Sequence, residues 1–512
     1  MRSLPLCLAR FFLTLACAAL AASPGFCEGA IMFFEQHDAS GDVQLRAQRL
    51  SAAGKLVWLD GKGSVAVAQQ PGYVFRSAVA VRDGAGGAIV VFEGEARSGS
   101  TAGDTDLWAQ RVDANGKLLW NGGSPLALAA SSRPETNPAV VSDGAGGAII
   151  GYAWRDLSGS VDLEAQRISA AGKLLWGDPA NARPVDVVES TEVISLAPQM
   201  AIAPDGVGGA IAAYQITYLS GEYEGDSDIA AQRVSATGER LWPSDDGGVT
   251  VSSSKHTERN PTLISDGQGG VIAAFEHEYR SGEYAGDCDI LAQRLSRDGK
   301  MLWNDGEKSV VVSSGSALER FPVILPDGTG GALVFCEAEL RDEEQQGDID
   351  VLAQRISADG AMLWNEGKSS VLVAASKWRE RHPVVVSDGC GGAIAVFEQH
   401  APPDSFAGDI DVAAERVTAD GDTPWSTEED DRAADISATD ELLEQAPSAV
   451  SDGAGGAIVV FEAEPRSGKQ AGRADLLAQR LDANGKPLWN DGKPVTVAGG
   501  GPSEKRPVMV AP

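Results

Sequence analysis

A motif with an invariant internal spacing recurs eight times along this chain of 512 residues. In every copy a tryptophan follows ten residues after the middle position of an Ala-Gln-Arg triplet, where glutamate once replaces glutamine. The pairs are Gln48/Trp58, Gln110/Trp120, Gln166/Trp176, Gln232/Trp242, Gln293/Trp303, Gln354/Trp364, Glu415/Trp425 and Gln479/Trp489. Successive copies follow one another at a nearly regular interval, so a repeat architecture is the first constraint on the fold.

A second motif, Asp-Gly-x-Gly-Gly, occurs seven times and predicts a tight turn in each repeat. Glycine favours such turns because it adopts positive φ at little cost. The motif begins at Asp83, Asp143, Asp205, Asp266, Asp327, Asp388 and Asp452.

The sequence of each repeat predicts four β-strands. Examples of the first to the fourth strand, taken from two neighbouring repeats, are "NPAVVS" (137–142), "AIVVFE" (88–93), "DLWAQRV" (106–112) and "PLALA" (125–129). The unbroken apolar run of the second example suits a strand buried on both faces. Helical periodicity is nearly absent, and one short capped helix is predicted within residues 437–445. The chain is therefore predicted to be all-β, with four-stranded antiparallel units that form the blades of an eight-bladed β-propeller.

The two ends of the repeat region are complementary. Residues 29–70 supply the second to fourth strands of a unit, and residues 506–512 resemble the missing first strand. We therefore expect a single propeller domain over residues 29–512, closed by pairing of the C-terminal strand with the N-terminal blade. Such closure leaves no exposed sheet edge.

The unit resembles the repeats of secreted bacterial β-propeller proteins. Its segment "DANGKLLW" (113–120) is also similar, distantly and in part, to the Asp-box of sialidase-like propellers, Ser-x-Asp-x-Gly-x-Thr-Trp. The spacing is one residue longer on each side of the glycine, the leading serine is missing, and copies such as "SAAGKLVW" (51–58) lack the aspartate. The resemblance implies a propeller fold and an extracellular location, and it transfers no catalytic residue.

The N-terminal residues and the net charge indicate location and partners. Arg2 and Arg10 form a basic segment that precedes the short apolar run of residues 11–21, so residues 1–21 are predicted to be a cleavable signal peptide of a secreted, extracellular or periplasmic protein. A lipid-anchored alternative would use Cys17.

A net charge of -31 argues against nucleic acid and anionic membranes as partners. No membrane span is predicted, and we expect a monomer.

Loop variation indicates where binding occurs. The connections after the second and fourth strands vary between repeats, and in an up-and-down blade both emerge on one face. The fourth connection repeats a Glu-Arg pair that we expect at the rim of the central channel, where the charges either pair with each other or bind a polar ligand. The candidate rim residues are Glu258, Arg259, Glu319, Arg320, Glu380 and Arg381.

Pairs of aspartates in Gly-Asp-x-Asp motifs precede the third strand. On an extended chain both carboxylates of a pair point the same way and could hold Ca²⁺ with backbone oxygens. The alternative is that they are solvated aspartates at strand entry. The pairs are Asp104/Asp106, Asp226/Asp228, Asp287/Asp289, Asp348/Asp350 and Asp409/Asp411.

Three functional hypotheses remain open from the sequence. The first is a secreted or surface-exposed scaffold that binds a protein or glycan through its variable-loop face. The second is an extracellular glycan hydrolase or lyase with an asymmetric carboxylate site on that face. The weakest is a multivalent lectin that uses the repeated tryptophan positions.

The calcium hypothesis makes a thermal prediction. If the aspartate pairs hold Ca²⁺, EDTA lowers the melting temperature and millimolar Ca²⁺ restores it, because a ligand specific to the native state stabilises that state by mass action. Differential scanning calorimetry measures both shifts. A melting temperature indifferent to both additions would return these aspartates to the strand-entry interpretation.

Overall fold

The computed structural model describes residues 29–512, apart from residues 100–101, 178–183, 244–246, 283, 316, 342–346, 377, 402–407, 427–432, 438, 440 and 469. The predicted signal peptide, residues 1–21, lies outside this part of the chain. The described residues form 32 β-strands and five short 3-10 turns, without an α-helix. No helix among them is long and apolar enough to cross a membrane.

Antiparallel pairing organises the strands, numbered β1 to β32 along the chain, into eight groups of four, which we call sheets 1 to 8. A single parallel bridge also joins sheet 1 to sheet 2, sheet 4 to sheet 5 and sheet 5 to sheet 6. Sheet 1 contains β32 (Ser503–Val510), β1 (Ala30–His37), β2 (Val43–Leu50) and β3 (Val65–Ala68). Sheet 2 contains β4 (Tyr73–Arg82), β5 (Ala88–Ala96), β6 (Thr105–Val112) and β7 (Leu126–Ala129). Sheet 3 contains β8 (Glu135–Ser142), β9 (Ala148–Arg155), β10 (Val161–Ile168) and β11 (Val185–Val188). Sheet 4 contains β12 (Ile194–Pro204), β13 (Ala210–Tyr218), β14 (Ser227–Val234) and β15 (Val249–Ser252).

The second half of the chain repeats this order. Sheet 5 contains β16 (Thr257–Ser265), β17 (Val271–Glu278), β18 (Cys288–Leu295) and β19 (Val310–Ser313). Sheet 6 contains β20 (Leu318–Pro326), β21 (Ala332–Glu339), β22 (Ile349–Ile356) and β23 (Val371–Ala374). Sheet 7 contains β24 (Arg379–Ser387), β25 (Ala393–His400), β26 (Ile410–Val417) and β27 (Ala434–Ser437). Sheet 8 contains β28 (Leu442–Ser451), β29 (Ala457–Pro465), β30 (Asp475–Leu481) and β31 (Val495–Ala498). The 3-10 turns are Trp58–Gly61, Asn121–Gly123, Asn304–Gly306, Trp364–Gly367 and Asn490–Gly492.

Each sheet has two distinct ends. At one, the Asp-Gly-x-Gly-Gly turn joins the first two strands of sheets 2 to 8, as between Ser265 and Val271 of sheet 5; we call this the turn end. In sheet 1 the corresponding strands, β32 and β1, come from opposite ends of the described chain. At the other, which we call the loop end, the connections of variable sequence leave the sheet. Glu258, His277 and Asp289 lie side by side there on three neighbouring strands.

The constant spacing within the repeat is explained by one buried glutamine. In sheet 2, Gln110 Oε1 accepts the backbone N–H of Trp120 at 2.9 Å, and Gln110 Nε2 donates to the Ser124 carbonyl at 2.8 Å. Gln110 is completely buried, so these bonds satisfy polar atoms that would otherwise be costly to bury. The ten-residue interval therefore fixes where the chain after the hairpin returns to the third strand.

The repeated arginine and tryptophan join consecutive sheets. Arg111 Nη1 and Trp120 Nε1 of sheet 2 both donate to the Ala170 carbonyl of sheet 3, at 2.8 and 3.1 Å. Arg111 Nε also donates to Asp83 Oδ2 at 2.9 Å, which links this junction to the turn motif of its own sheet. Trp120 packs so closely on Gly172, at φ +80°, that a Cβ there would lie 2.7 Å from the indole. These contacts give the repeated arginine and tryptophan a structural role at the junction between sheets.

The predicted helix at residues 437–445 is wrong. Ser437 ends β27, and the chain from Leu442 onward pairs with β29. Both Ser437 Oγ and Thr439 Oγ1 donate to Glu444 Oε1, at 3.0 and 3.3 Å. The same Ser/Thr and Glu pattern that suggested a capped helix instead holds two strand ends together, since sheet pairing outweighs local helix propensity.

The first and last described strands pair in sheet 1. β32 pairs with β1 in antiparallel register, and Val510 lies opposite Ile31. Val510 packs in the core shared by sheets 1 and 2, whereas Met509 packs in the core shared by sheets 1 and 8. Both side chains are at least nine-tenths buried, so the last strand contributes apolar contacts as well as a strand partner.

Deletion of residues 506–512 should therefore destabilise the whole chain. The truncated protein loses two buried side chains, each worth about 2–4 kcal/mol, and exposes the edge of β1. We expect a lower melting temperature in calorimetry and aggregation in light scattering. Deletion of residues 511–512, which follow β32, is the matched control and should leave both measurements near wild type. Unchanged melting of the longer deletion would contradict the importance of this pairing.

Candidate functional site

The repeated tryptophans are not available as a binding surface. Seven of the eight are between 1% and 5% exposed, and the eighth, Trp425, is half-buried. The indole N–H groups already donate to backbone carbonyls of the neighbouring sheet, as Trp303 Nε1 does to Ala358 at 2.9 Å. This geometry opposes the hypothesis of a multivalent lectin that uses these positions.

The three candidate rim glutamates are buried and do not line an open channel mouth. Glu258, Glu319 and Glu380 are 0%, 2% and 0% exposed. On an extended strand, neighbouring side chains point to opposite faces, so each glutamate turns away from the arginine that follows it. The three glutamates therefore do not belong to the exposed rim of alternating charges that the sequence predicted.

The three candidate rim arginines differ in the side chains that they contact. Arg259 Nε donates to Glu276 Oε2 at 2.7 Å and Arg259 Nη1 lies 2.6 Å from Glu278 Oε2, so two glutamates of its own sheet pair with it. Arg381 Nε lies 3.8 Å from Glu337 Oε2 of the preceding sheet. Arg320 Nε is buried and has no hydrogen-bond partner in the described structure. None of these contacts is with the adjacent glutamate, and ligand binding by the arginines stays a prediction.

The first aspartate of several Gly-Asp-x-Asp motifs forms an ion pair with the following sheet. The pairs, with their N–O distances, are Asp226 with Arg280 at 3.2 Å, Asp287 with Arg341 at 3.7 Å and Asp409 with Arg466 at 3.0 Å. In each pair the arginine takes up the carboxylate that would otherwise be a ligand of Ca²⁺. These three motifs therefore favour the strand-entry interpretation.

The second aspartate of the motif lies near a buried glutamate of the following sheet. Burial raises the pKa of Glu319 to about 8, with a further contribution from Asp289. Burial likewise raises the pKa of Asp350 to about 7 and that of Glu380 to about 7. Burial and the nearby Glu258 raise the pKa of Asp228 to about 6. Like charges in a desolvated interface favour the protonated form, which explains this direction.

In the remaining aspartate pairs, some of the carboxyl groups also have a raised pKa. Burial and the Asp104 charge raise the pKa of Asp106 to about 6, and burial raises the pKa of Asp348. Burial, together with a hydrogen bond that the protonated Glu444 donates to Asp411, raises the pKa of Glu444 to about 8.

An asymmetric group of titratable and aromatic side chains occupies the loop end of sheet 5. His277 Nδ1 lies 2.8 Å from Glu258 Oε1, and Tyr279 Oη donates to Asp289 Oδ2 at 2.9 Å. The ring of His256 lies 5.1 Å from that of His277 and 4.9 Å from that of Tyr279, between centroids. We call His256, Glu258, His277, Tyr279 and Asp289 the sheet 5 cluster.

The sheet 5 cluster is not predicted as a group from the sequence. A signal was present in the spacing of His277, near the end of β17, and Tyr279, which directly follows that strand: residues two positions apart on an extended chain share a face. His256 precedes the first strand of the same sheet, and only the pairing register brings it to the other two rings.

A hydrogen bond made by the first strand is a second feature that differs between the sheets. At most junctions a residue of positive φ on the first strand donates its N–H to a buried glutamate of the preceding sheet. The donor and acceptor residues are Ser77/Glu35, Asn137/Glu93, Phe321/Glu276, His382/Glu337, Ala446/Glu398 and Arg506/Glu462. In sheets 3 and 4 the glutamate position holds Ala153 and Gln215.

A cavity of about 350 Å³ lies where this pattern is interrupted. Gln215 contributes to its wall together with Gln199 and Met200 of β12, Asn260 of β16 and Phe321 of β20. Phe321 is 51% exposed and gives the cavity an apolar surface that solvent can reach. The cavity and the sheet 5 cluster share strand β16, and its volume falls within the usual range for small-ligand sites.

No family model matches the chain, and no curated protein is a significant match. Among solved structures, a puromycin hydrolase S511A mutant complexed with PGG is 13% identical, with a TM-score of 0.47 over 85% of this chain and 54% of that one. A PL25 ulvan lyase is 11% identical, with a TM-score of 0.41 over 76% of this chain and 90% of that one. An α-L-arabinofuranosidase from Lactobacillus brevis is 12% identical, with a TM-score of 0.31 over 56% of this chain and 93% of that one. Likeness at this level assigns no activity.

The buried carboxyl groups predict that stability falls as pH rises from 5 to 8. Glu319 titrates near its usual pKa of 4.5 when unfolded and near 8 when folded. Above pH 5 the unfolded chain loses this proton while the folded chain keeps it, so the free energy of unfolding falls until pH passes the folded pKa. The carboxyls with lowered pKa, such as Glu398 at about 2, lose their stabilising effect only in more acid solution.

We expect Glu319→Gln to flatten this pH dependence by about 1–3 kcal/mol, since the amide stays neutral at every pH. The measurement is urea unfolding at pH 5, 6, 7 and 8. Glu192→Gln replaces an exposed carboxyl and serves as the control. A wild-type chain whose stability is constant or rises over this interval would show that these carboxyls are not protonated in the native state.

Proposed function

We propose that the eight sheets are the blades of one closed β-propeller, secreted or displayed at the cell surface. Three observations support the ring. Consecutive first strands contact each other from β4 to β28, β28 contacts β32, and β32 contacts β4. The same Arg and Trp junction that joins other sheets also joins sheet 8 to sheet 1, through Arg480 and Trp489 to the Ala52 carbonyl. The predicted signal peptide supports the location.

We infer that this propeller is a binding scaffold whose site lies on sheets 4 to 6. One observation carries the proposal: strand β16 carries both Asn260 in the wall of the cavity and Glu258 of the sheet 5 cluster, beside the junction where the repeated contact to a buried glutamate is interrupted at Gln215. Residues common to all blades are occupied in holding the ring together. Side chains that break the pattern on neighbouring strands are therefore the ones free to serve recognition.

The chemistry of the site fits a polyhydroxy ligand such as an oligosaccharide. Phe321 and Met200 supply apolar surface in the cavity, while Asn260 and Gln199 supply amide donors and acceptors. His256 and Tyr279 add aromatic rings with polar atoms at the loop end of the same sheet. A protein partner that inserts a polar loop is the alternative occupant.

A glycan hydrolase or lyase is the second candidate. The observation that favours it is the contact of His277 with Glu258, together with Asp228, whose pKa is raised to about 6 by burial and by Glu258. Such a set can hold and move protons near neutral pH. However, all three side chains are buried, and even His277 is only 6% exposed, so direct contact with a substrate is restricted. Binding therefore ranks before catalysis.

The test is a calorimetric screen of neutral and zwitterionic oligosaccharides against wild type and Phe321→Asn. Phe321 has φ +54°, and asparagine occupies the equivalent position at φ +52° in Asn260, so the variant should fold normally. We expect one ligand per chain and at least tenfold weaker binding by the variant, because the apolar wall of the cavity is removed.

The control is Val207→Asn, which changes a 54% exposed side chain at the turn end of sheet 4. Equal binding by wild type and Phe321→Asn, or equal loss in both variants, would place the site elsewhere. The bound oligosaccharides are then incubated with wild type and assayed for new reducing ends and for the ultraviolet absorbance of unsaturated sugars. Turnover would favour the enzyme alternative.

A further inference from the structure

Two histidines and a glutamate converge on the first two strands of sheet 7. His382 Nδ1 lies 3.0 Å from Glu398 Oε2, and His400 Nε2 lies 2.8 Å from the same oxygen. One ligand atom from each of the three residues lies within 4.8 Å of the other two. Glu398 and His400 share a face of β25 because they are two positions apart, and the bulge of β24 brings His382 to them.

The donor set is that of a transition-metal site. Imidazole nitrogen and carboxylate oxygen are the usual ligands of Zn²⁺, at about 2.0–2.2 Å. In a tetrahedral site such ligands are about 3.3 Å apart, so the two observed N–O distances need to lengthen by only a few tenths of an ångström. Oxygen-rich sets suit Ca²⁺ better, and this group has two nitrogens.

The surroundings hold the carboxylate and leave the site accessible. Glu398 Oε1 accepts the backbone N–H of Ala446 at 2.7 Å, which fixes the orientation of the carboxylate from the next sheet. The side chain of His382 is 61% exposed and that of His400 is 26% exposed, so an ion can enter from solvent. Arg381 is the nearby cation, and it lies beside Glu337.

Sheet 1 provides an internal comparison. His37 Nε2 lies 3.0 Å from Glu35 Oε2, which reproduces the contact between His400 and Glu398. The position of His382 is occupied by Arg506, and Arg506 Nη1 lies 3.5 Å from Glu35 Oε1. A guanidinium there supplies positive charge in place of a ligand. Within the described residues, only sheet 7 has the complete group.

We propose that His382, Glu398 and His400 bind one Zn²⁺ ion, with the fourth coordination position open to water or to a donor from a partner. On binding, each imidazole presents a lone pair to the ion and keeps its proton on the other ring nitrogen. This site is separate from the cavity on sheets 4 to 6 and does not depend on the proposed function.

The test is titration of the chelator-treated full chain with ZnCl₂ in a calorimeter. We expect one site per chain, and at least tenfold weaker binding in His382→Asn and in His400→Gln. Asparagine is compatible with the φ of +53° at His382, since Asn137 and Asn260 have the same conformation at equivalent positions. Glu398→Gln keeps an oxygen for the Ala446 N–H while it removes the charge, and it should weaken binding similarly.

His37→Gln is the matched control and should bind Zn²⁺ as wild type does. Co²⁺ substitution gives an independent readout, because a four-coordinate ion has strong visible absorption that His382→Asn should lose. Absence of a saturable site in wild type would overturn the proposal. So would wild-type affinity in His400→Gln with an intact melting transition, or an equal loss of affinity in His37→Gln.

Discussion

Every junction between consecutive sheets depends on one backbone carbonyl that accepts two side-chain donors. An arginine Nη1 and an indole Nε1 of one sheet reach the same carbonyl of the next. The accepting residues are Ala52, Ala114, Ala170, Ala236, Arg297, Ala358, Ala419 and Ala483. These bonds are directional, so they set the position of each sheet relative to its neighbour.

The arginine at this junction also ties the turn motif to the interface. In sheet 5, Arg294 Nη2 lies 2.9 Å from Asp266 Oδ2, and Asp266 Oδ1 accepts the N–H of Gly270 at 2.8 Å. The side chains of Arg294 and Asp266 are 8% and 2% exposed. Removal of one partner would leave a buried charge unpaired, at a cost of about 3–5 kcal/mol. The two sequence motifs are therefore parts of one hydrogen-bonded unit.

The contacts at the junctions between sheets explain the residues that recur in every repeat. Residues that differ from the repeat therefore need another explanation. Gln215 stands where most other sheets have a buried glutamate, and the cavity lies beside it. His382 stands at a position that asparagine, serine, phenylalanine, alanine or arginine fills in other sheets, and it completes a group with Glu398 and His400. Neither departure is needed by the junction contacts, so both are candidates for function.

The sequence by itself determined the strands, the turns and the repeated positions of Gln, Arg and Trp. Local periodicity and invariant spacing suffice for these, since each depends on residues close in the chain. The tertiary structure alone decided that Glu258, Glu319 and Glu380 are buried against a neighbouring sheet, and that residues 442–445 are extended. It also decided which histidines meet. His382 and His400 lie on different strands, and His256 precedes the strand that pairs with the strand of His277, so only the register and its bulges bring each pair together. Burial and pairing across sheets depend on residues distant in the chain, and one sequence carries no signal for them.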